Sequence, residues 1–193
     1  MSAALFPAWR PDAAGRHHLA TLAARLAAAR PADAGGIRLR RPDQWHATLC
    51  FIGEGDRGLV TPALHQALAD VAATIPPHAI TIERITSWSS AVVAIVHPCP
   101  ALQALCDATH DAALRCGIRP RERTTQPHVT LAYNGTRQAQ PLPWLDGIDC
   151  DGPPLAVDGF ELLHSGAGRY DCLGRWSLAG AALPAAPGQP ALF

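Results

Sequence analysis

The sequence predicts an α+β fold with an internal duplication. Three observations predict it. Helix-periodic and strand-periodic segments succeed one another without the strand, crossover, strand order of a doubly wound parallel sheet. Each half supplies a helix together with strands short enough to pair antiparallel. A strand motif, His46-Ala47-Thr48-Leu49, recurs 82 positions later (128 − 46) as His128-Val129-Thr130-Leu131.

The elements follow in chain order. Leu19, Leu22 and Leu26 stand at helical spacing and predict a first helix over 12–30, with Asp12 after Pro11 as its cap. Gly35 and Gly36 break the chain, and a short strand over 37–41 ends at Pro42 before a turn through Asp43 and Gln44. The first motif strand covers 46–52 and stops at 53–55. A second amphipathic helix spans 59–75, halted by Pro76 and Pro77. Two β-rich runs, 79–85 and 91–97, join through a polar turn at 87–90. A third helix covers 100–116, with Leu102, Leu105, Thr109 and Ala113 on one stripe and Gly117 just past its end. After an arginine-rich crossing the second motif strand covers 128–133, and late strands fall at 155–164 and 170–178. The Ala- and Pro-rich segment 181–193 reads as a flexible tail, leaving residues 1–180 as a single domain.

Composition narrows the function. A chain of 193 residues that is 48% hydrophobic can bury a full core. The formal net charge is zero, so no long-range field draws the protein to nucleic acid or to an anionic membrane, and an anionic substrate must be held locally. The longest aliphatic run, Ala91–Val96, is far short of the roughly 20 residues a membrane span needs. The N-terminus lacks a basic segment followed by an apolar signal core, so the sequence predicts a cytoplasmic protein without a membrane partner. Six cysteines contain no C-x-x-C pair and read as reduced, mostly buried small hydrophobes. All sixteen basic residues are arginine. Without lysine, a Schiff base, a P-loop phosphate grip and a lysyl-nucleotide intermediate are all excluded.

The repeated motif carries the chemistry. Side chains alternate faces along a strand, so His46 and Thr48 share one face while Leu49 and Phe51 share the other. The same parity sets His128 and Thr130 against Val129, Leu131 and Tyr133. A single His-x-Thr on a strand is ordinarily a hydrogen-bonded structural pair; two copies suggest a shared site. If the halves face each other, one imidazole can take a proton from a nucleophile while the other gives one to a leaving group. Two threonine hydroxyls can hydrogen-bond the non-bridging oxygens of a phosphate as charge shifts onto them. Metal binding is the rival use of paired histidines, but neither motif places a carboxylate or cysteine beside its His as a third ligand. Arg38, Arg40 and Arg41 precede the first motif, and Arg119, Arg121 and Arg123 precede the second. Guanidinium groups grip phosphate bidentately, which suits metal-free phosphodiester chemistry.

In these residues the sequence resembles the two-histidine (2H) phosphoesterase superfamily, and within it the bacterial RNA 2′,3′-cyclic phosphodiesterases, historically called 2′-5′ RNA ligases. The resemblance rests on 42–54 and 123–131, with support from Leu5, Phe6, Arg16, the hairpin from Ser87 and Trp88 to Val96, the third helix, and 160–178 with Ser165, Tyr170 and Trp176. It implies a bilobal, pseudo-two-fold fold, each lobe an antiparallel sheet with helices on its outer face, and a central cleft. It further implies that no cofactor is needed; the chain is expected to be a monomer and, from the residues beside each His, to hold no metal. Its partners would be RNA or oligonucleotide ends, or small cyclic nucleotides, and its reaction hydrolysis of a terminal 2′,3′-cyclic phosphate to a 2′-phosphomonoester. By position, His128 would be the base that activates water and His46 the acid that protonates the departing 3′ oxygen. Thr48 and Thr130 would bind the phosphate, with Arg123 and Tyr133 as further substrate contacts.

The family often has an aromatic residue two positions before the proline of the second motif, where this chain has Thr125, and an arginine after that motif, where it has Tyr133. An aromatic ring there can stack on a nucleobase. Pro7 interrupts what is usually a clean first strand. Two other readings share these residues. One is ATP-independent, reversible 2′-5′ RNA joining, in which a 5′-hydroxyl attacks the cyclic phosphate. The other is a non-catalytic module that grips RNA ends.

Overall fold

The computed structural model describes residues 3–32, 34–54, 57–134, 142–166 and 168–181. Strand β1 (Ala4–Trp9) leads into helix α1 (Ala13–Ala29), capped by Asp12, whose carboxylate accepts the Gly15 N–H at 2.7 Å. Three short strands follow: β2 (Ile37–Leu39), β3 (Ala47–Thr48) and β4 (Gly53–Glu54). Helix α2 (Pro62–Thr74) starts at a Thr61 cap with proline in its first turn, where the missing N–H costs nothing. Strands β5 (His78–Ile80), β6 (Ile82–Trp88) and β7 (Ala91–Val96) precede helix α3 (Pro100–Arg115), which ends at Gly117 with φ +75°. Strands β8 (His128–Asn134), β9 (Leu155–Val157), β10 (Gly159–Gly166) and β11 (Arg169–Ser177) complete the described chain. The tail expected at 181–193 lies outside the described residues, residue 181 excepted.

The main sheet is antiparallel and runs β11-β10-β1-β3-β8-β7-β6, with β2 also on β8 and β4 also on β1; β5 and β9 pair separately. The two motif strands, β3 and β8, are neighbours at the middle of this order. A hairpin closes each end, β10–β11 on one side and β6–β7 on the other. Leu19, Leu22 and Leu26 of α1, Leu64 and Leu68 of α2, and Leu102 and Leu105 of α3 join Leu5, Trp9, Ala47, Leu49, Val129 and Leu131 in one core. The helices therefore cover one face of the sheet. The other face carries a small apolar cluster of Phe6, Ala8 and Leu163, with Tyr170 against it.

Three local expectations change. First, β1 forms in spite of Pro7. An antiparallel residue directs its N–H and C=O to the same neighbour, and the Pro7 carbonyl accepts the Leu49 N–H at 2.9 Å. The missing donor thus faces the gap between β3 and β4, where the ladder is already interrupted. Second, the expected strand 46–52 is split. β1 pairs Ala8 with Thr48 but Leu5 with Gly53, so the register slips by two residues and Cys50 instead bridges to Arg123. Alternation accordingly fails after Leu49: Cys50 is fully buried and Phe51 is half-exposed. Third, the runs 79–85 and 155–164 each break into two strands, because their first parts, β5 and β9, pair with each other outside the main sheet.

Candidate active site

Ala47 pairs with Val129 across the β3–β8 seam, and both are fully buried on the helix-covered face. Strand parity then sends His46, Thr48, His128 and Thr130 to the opposite face together. In that register His46 falls opposite Thr130, and Thr48 opposite His128. The histidines stand on the diagonal, where strand neighbours are about 7–8 Å apart. Each half contributes one imidazole and one hydroxyl to the same small patch.

Both imidazoles are held by the same device. His46 Nδ1 lies 2.9 Å from the Gln44 carbonyl, and His128 Nδ1 lies 3.1 Å from the Gln126 carbonyl. A carbonyl only accepts, so in each ring Nδ1 carries the proton and Nε2 is left for a substrate. The rings are also walled. Phe6 stacks on His46 at 5.1 Å between centroids, Tyr170 meets His46 edge-on at 5.0 Å, and Trp88 meets His128 edge-on at 4.4 Å. These walls hold the rings in place and desolvate them.

Desolvation sets the charge. Burial lowers His46 to about 4, with the positive charges of Arg40 and Arg10 and the second imidazole acting in the same direction and the Gln44 carbonyl opposing. Burial likewise lowers His128, again opposed by its carbonyl partner. Both are neutral at pH 7 in the free protein. For His46 the consequence is a stability slope. Between pH 6.5 and 4 an unfolded chain takes up a proton that the fold refuses, so stability present above pH 6.5 is lost as pH falls. The loss from this group amounts to at most about 3 kcal/mol. Urea midpoints should fall over that window in the parent and fall less in His46→Gln; equal slopes in the two proteins would show that His46 is not held neutral by the fold.

Beside the histidines lies a cavity of about 590 Å³, lined by Arg38, Arg40, Arg41, Tyr133, Ser165, Arg169 and Tyr170 among others. Tyr170 is common to the cavity and to the wall of His46. Tyr133 reaches the cavity through a bulge. The β7–β8 ladder pairs Val93 with Thr130 but Val92 with Ala132, so Leu131 is an extra residue and the parity of β8 inverts after it. Unbroken parity places Tyr133 on the core face with Leu131; instead Leu131 and Ala132 are both buried and Tyr133 turns to the cavity. There the guanidiniums of Arg40 and Arg38 lie 5.4 and 5.7 Å from its ring centre.

Arg123 stands elsewhere. Its guanidinium meets Asp111 at 2.5 Å and Asp107 at 3.3 Å, both on α3. It is thereby committed to carboxylates, and the arginines that act on His46 are Arg40 and Arg10. Motif spacing alone does not separate these roles, because the arginines before each motif look alike until the strands are paired. Trp88 enters the sequence reading only within the supporting hairpin, without a role, and Arg10, whose charge acts on His46, carries no motif signal at all. Among the described residues, no group of three or more His, Cys, Asp or Glu side chains is arranged to hold a metal ion. Nor is any helix there long and apolar enough to cross a membrane.

Comparison with known proteins adds to this geometry. A family model described as the 2′-5′ RNA ligase superfamily matches residues 16–168, which include both motifs. No curated protein matches the chain in sequence. Among solved structures, Escherichia coli LigT complexed with 3′-AMP is similar at 25% identity and TM-score 0.67, over 92% of this chain and 99% of that one. TT0787 of Thermus thermophilus is similar at 22% identity and TM-score 0.70, over 93% and 100%. The MHV ns2 PDE domain is similar at 15% identity and TM-score 0.54, over 84% and 99%. The last two likenesses concern the fold alone.

Proposed function

The chain belongs to the 2′-5′ RNA ligase superfamily, and from that premise we propose that it hydrolyses a 2′,3′-cyclic phosphate at an RNA or oligonucleotide end to a 2′-phosphomonoester. The observation that carries the reading is the paired setting of the imidazoles. Two rings on one sheet face, each with Nδ1–H donated to a carbonyl, leave two Nε2 atoms for a single phosphate.

In the reaction, His128 Nε2 takes a proton from water as the water oxygen bonds to phosphorus. The P–O3′ bond breaks, and His46 Nε2–H protonates the departing 3′ oxygen. The products are a 3′-hydroxyl and a 2′-phosphomonoester, and a proton passes back between solvent and the rings to reset the site. Thr48 and Thr130 hydrogen-bond the non-bridging oxygens, whose charge rises in the transition state. The free protein holds His46 neutral, so the acid is charged by its substrate: the phosphate anion raises the affinity of the neighbouring imidazole for a proton. With a 5′-hydroxyl in place of water as the nucleophile, the same groups break the P–O3′ bond and join ends through a 2′-5′ linkage without ATP, a route that needs no lysine.

The test is hydrolysis of nucleoside 2′,3′-cyclic phosphates in chelator, with the product isomer identified by chromatography. Turnover indifferent to chelator and a 2′-phosphate product are expected. Loss of activity in chelator, or a 3′-phosphate product, rules the mechanism out.

A further inference from the structure

The geometry points to the cavity beside His46 as a second phosphate subsite, which makes the preferred substrate an oligonucleotide end carrying an internucleotide phosphodiester on the 5′ side of its cyclic phosphate, in preference to a mononucleotide. This deepens the function proposed above and rests on it.

Among the described residues four arginines, Arg38, Arg40, Arg41 and Arg169, line the cavity, and no carboxylate does. Arg41 is balanced by Asp43, at 3.1 Å from Nε to one carboxylate oxygen. Arg38, Arg40 and Arg169 have no carboxylate partner among the described residues. In a chain of zero formal net charge, three unpaired guanidiniums in one concavity form a local anion site. Arg40 adds a sharper sign. Its Nη2 donates to the Tyr170 hydroxyl, and its guanidinium lies against the rings of Tyr133 and Tyr170. Its Nε is buried and has no hydrogen-bond partner. A buried guanidinium donor without an acceptor is costly, and it leaves the charge of Arg40 uncompensated beside the cavity.

Size and position agree. A cavity of about 590 Å³ lies within the range of nucleotide-sized pockets. Tyr170 connects it to His46, so a ligand whose cyclic phosphate sits between the imidazoles continues directly into it. Arg38 and Arg40 already cover the Tyr133 ring, which favours phosphate over a stacked base at this spot. They also supply from β2 and the segment after it the guanidinium that Tyr133 replaces in β8: Arg38 pairs directly with Tyr133 across the β2–β8 ladder.

The experiment compares three substrates: a nucleoside 2′,3′-cyclic phosphate, a dinucleotide bearing the same cyclic end, and that dinucleotide with a neutral methylphosphonate linkage. The dinucleotide should exceed the mononucleotide in kcat/KM by roughly tenfold or more, and the neutral linkage should erase most of that advantage. Arg169→Met and Arg38→Met should each shrink the dinucleotide-to-mononucleotide ratio, mainly through KM. Equal kcat/KM for all three substrates, or variants that lower mono- and dinucleotide alike, overturns the subsite. Equilibrium binding of the corresponding 2′-phosphate products reads the subsite without turnover. A protein that hydrolyses none of the substrates yet binds the charged dinucleotide product more tightly, with the preference lost in Arg169→Met, retains the subsite while the hydrolytic function fails. Equal binding of the products overturns the subsite on its own.

Discussion

Replacing His46 or His128 with alanine should lower kcat on a 2′,3′-cyclic phosphate by roughly 10²–10⁴-fold in each case, the range for loss of a positioned acid or base. The proposed mechanism joins the two groups in one concerted step, so the double variant should fall little further than the poorer single variant, in place of the product of the two losses. The effect should sit in kcat, because both imidazoles act on charge that develops between ground and transition state. The walls of the site survive the substitutions: Phe6, Tyr170 and Trp88 belong to strands paired by backbone hydrogen bonds that alanine does not disturb. Circular dichroism and thermal melting should therefore remain near the parent's at pH 7, which separates a chemical loss from an unfolded one. Near-parental kcat in either single variant would remove the two-histidine mechanism. Tight binding of RNA ends without measurable turnover in the parent would instead make the protein a binding module.

The second large effect is on pH dependence. Hydrolysis needs one imidazole charged and one neutral, so the pair must hold a single proton between them. In the free protein burial lowers both groups, His46 to about 4 and His128 from 6.5, so that state lies on the acidic side of pH 6.5. The kcat/KM profile, which reports the free enzyme, should be a bell with its maximum on the acidic side of pH 6.5, falling about tenfold per pH unit above its upper limb. Because the two rings interact, these limbs belong to the pair and not to either residue. A phosphodiester keeps its negative charge across this range and favours the charged imidazoles. The kcat profile, which reports the complex, should therefore move to higher pH than kcat/KM. A kcat/KM profile flat from pH 5 to 9 would mean that the imidazoles do not carry the protons. A kcat profile lying at lower pH than kcat/KM would mean that the phosphate does not sit between them.

Much of the architecture is legible where signals are local and agree with one another. Helix α3 carries its stripe, its proline start and its glycine stop within one segment, and its expected bounds match the structure to within a residue. Asp12 and Gly117 mark helix ends by side-chain and backbone chemistry that needs no distant partner. Strand β1 is harder, since Pro7 argues against a strand until its missing N–H is seen to face a gap in the neighbouring ladder. Reading 155–164 as one strand misses that its first residues pair with β5 and its last with β1, which no periodicity records. At the site, the His and Thr pairs are legible because parity over three residues is a property of the strand itself. Arg123 and Arg40 are not distinguishable in the sequence, because what separates them is whether a helix brings carboxylates to one and not to the other.

From the sequence alone come the two imidazole–hydroxyl pairs, the face each pair shares with itself, the helix stops and starts, and the absence of any lysine to do the chemistry another way. The pairing of Ala47 with Val129 that brings the two pairs together, the bulge at Leu131 that turns Tyr133 into the cavity, and the burial that strips both histidines of charge belong to the tertiary structure. The division has one physical cause. Capping, turn chemistry and strand parity are decided over a few residues by backbone geometry. Register, bulging and desolvation are sums over groups far apart in the chain, and they acquire values only when the core has closed.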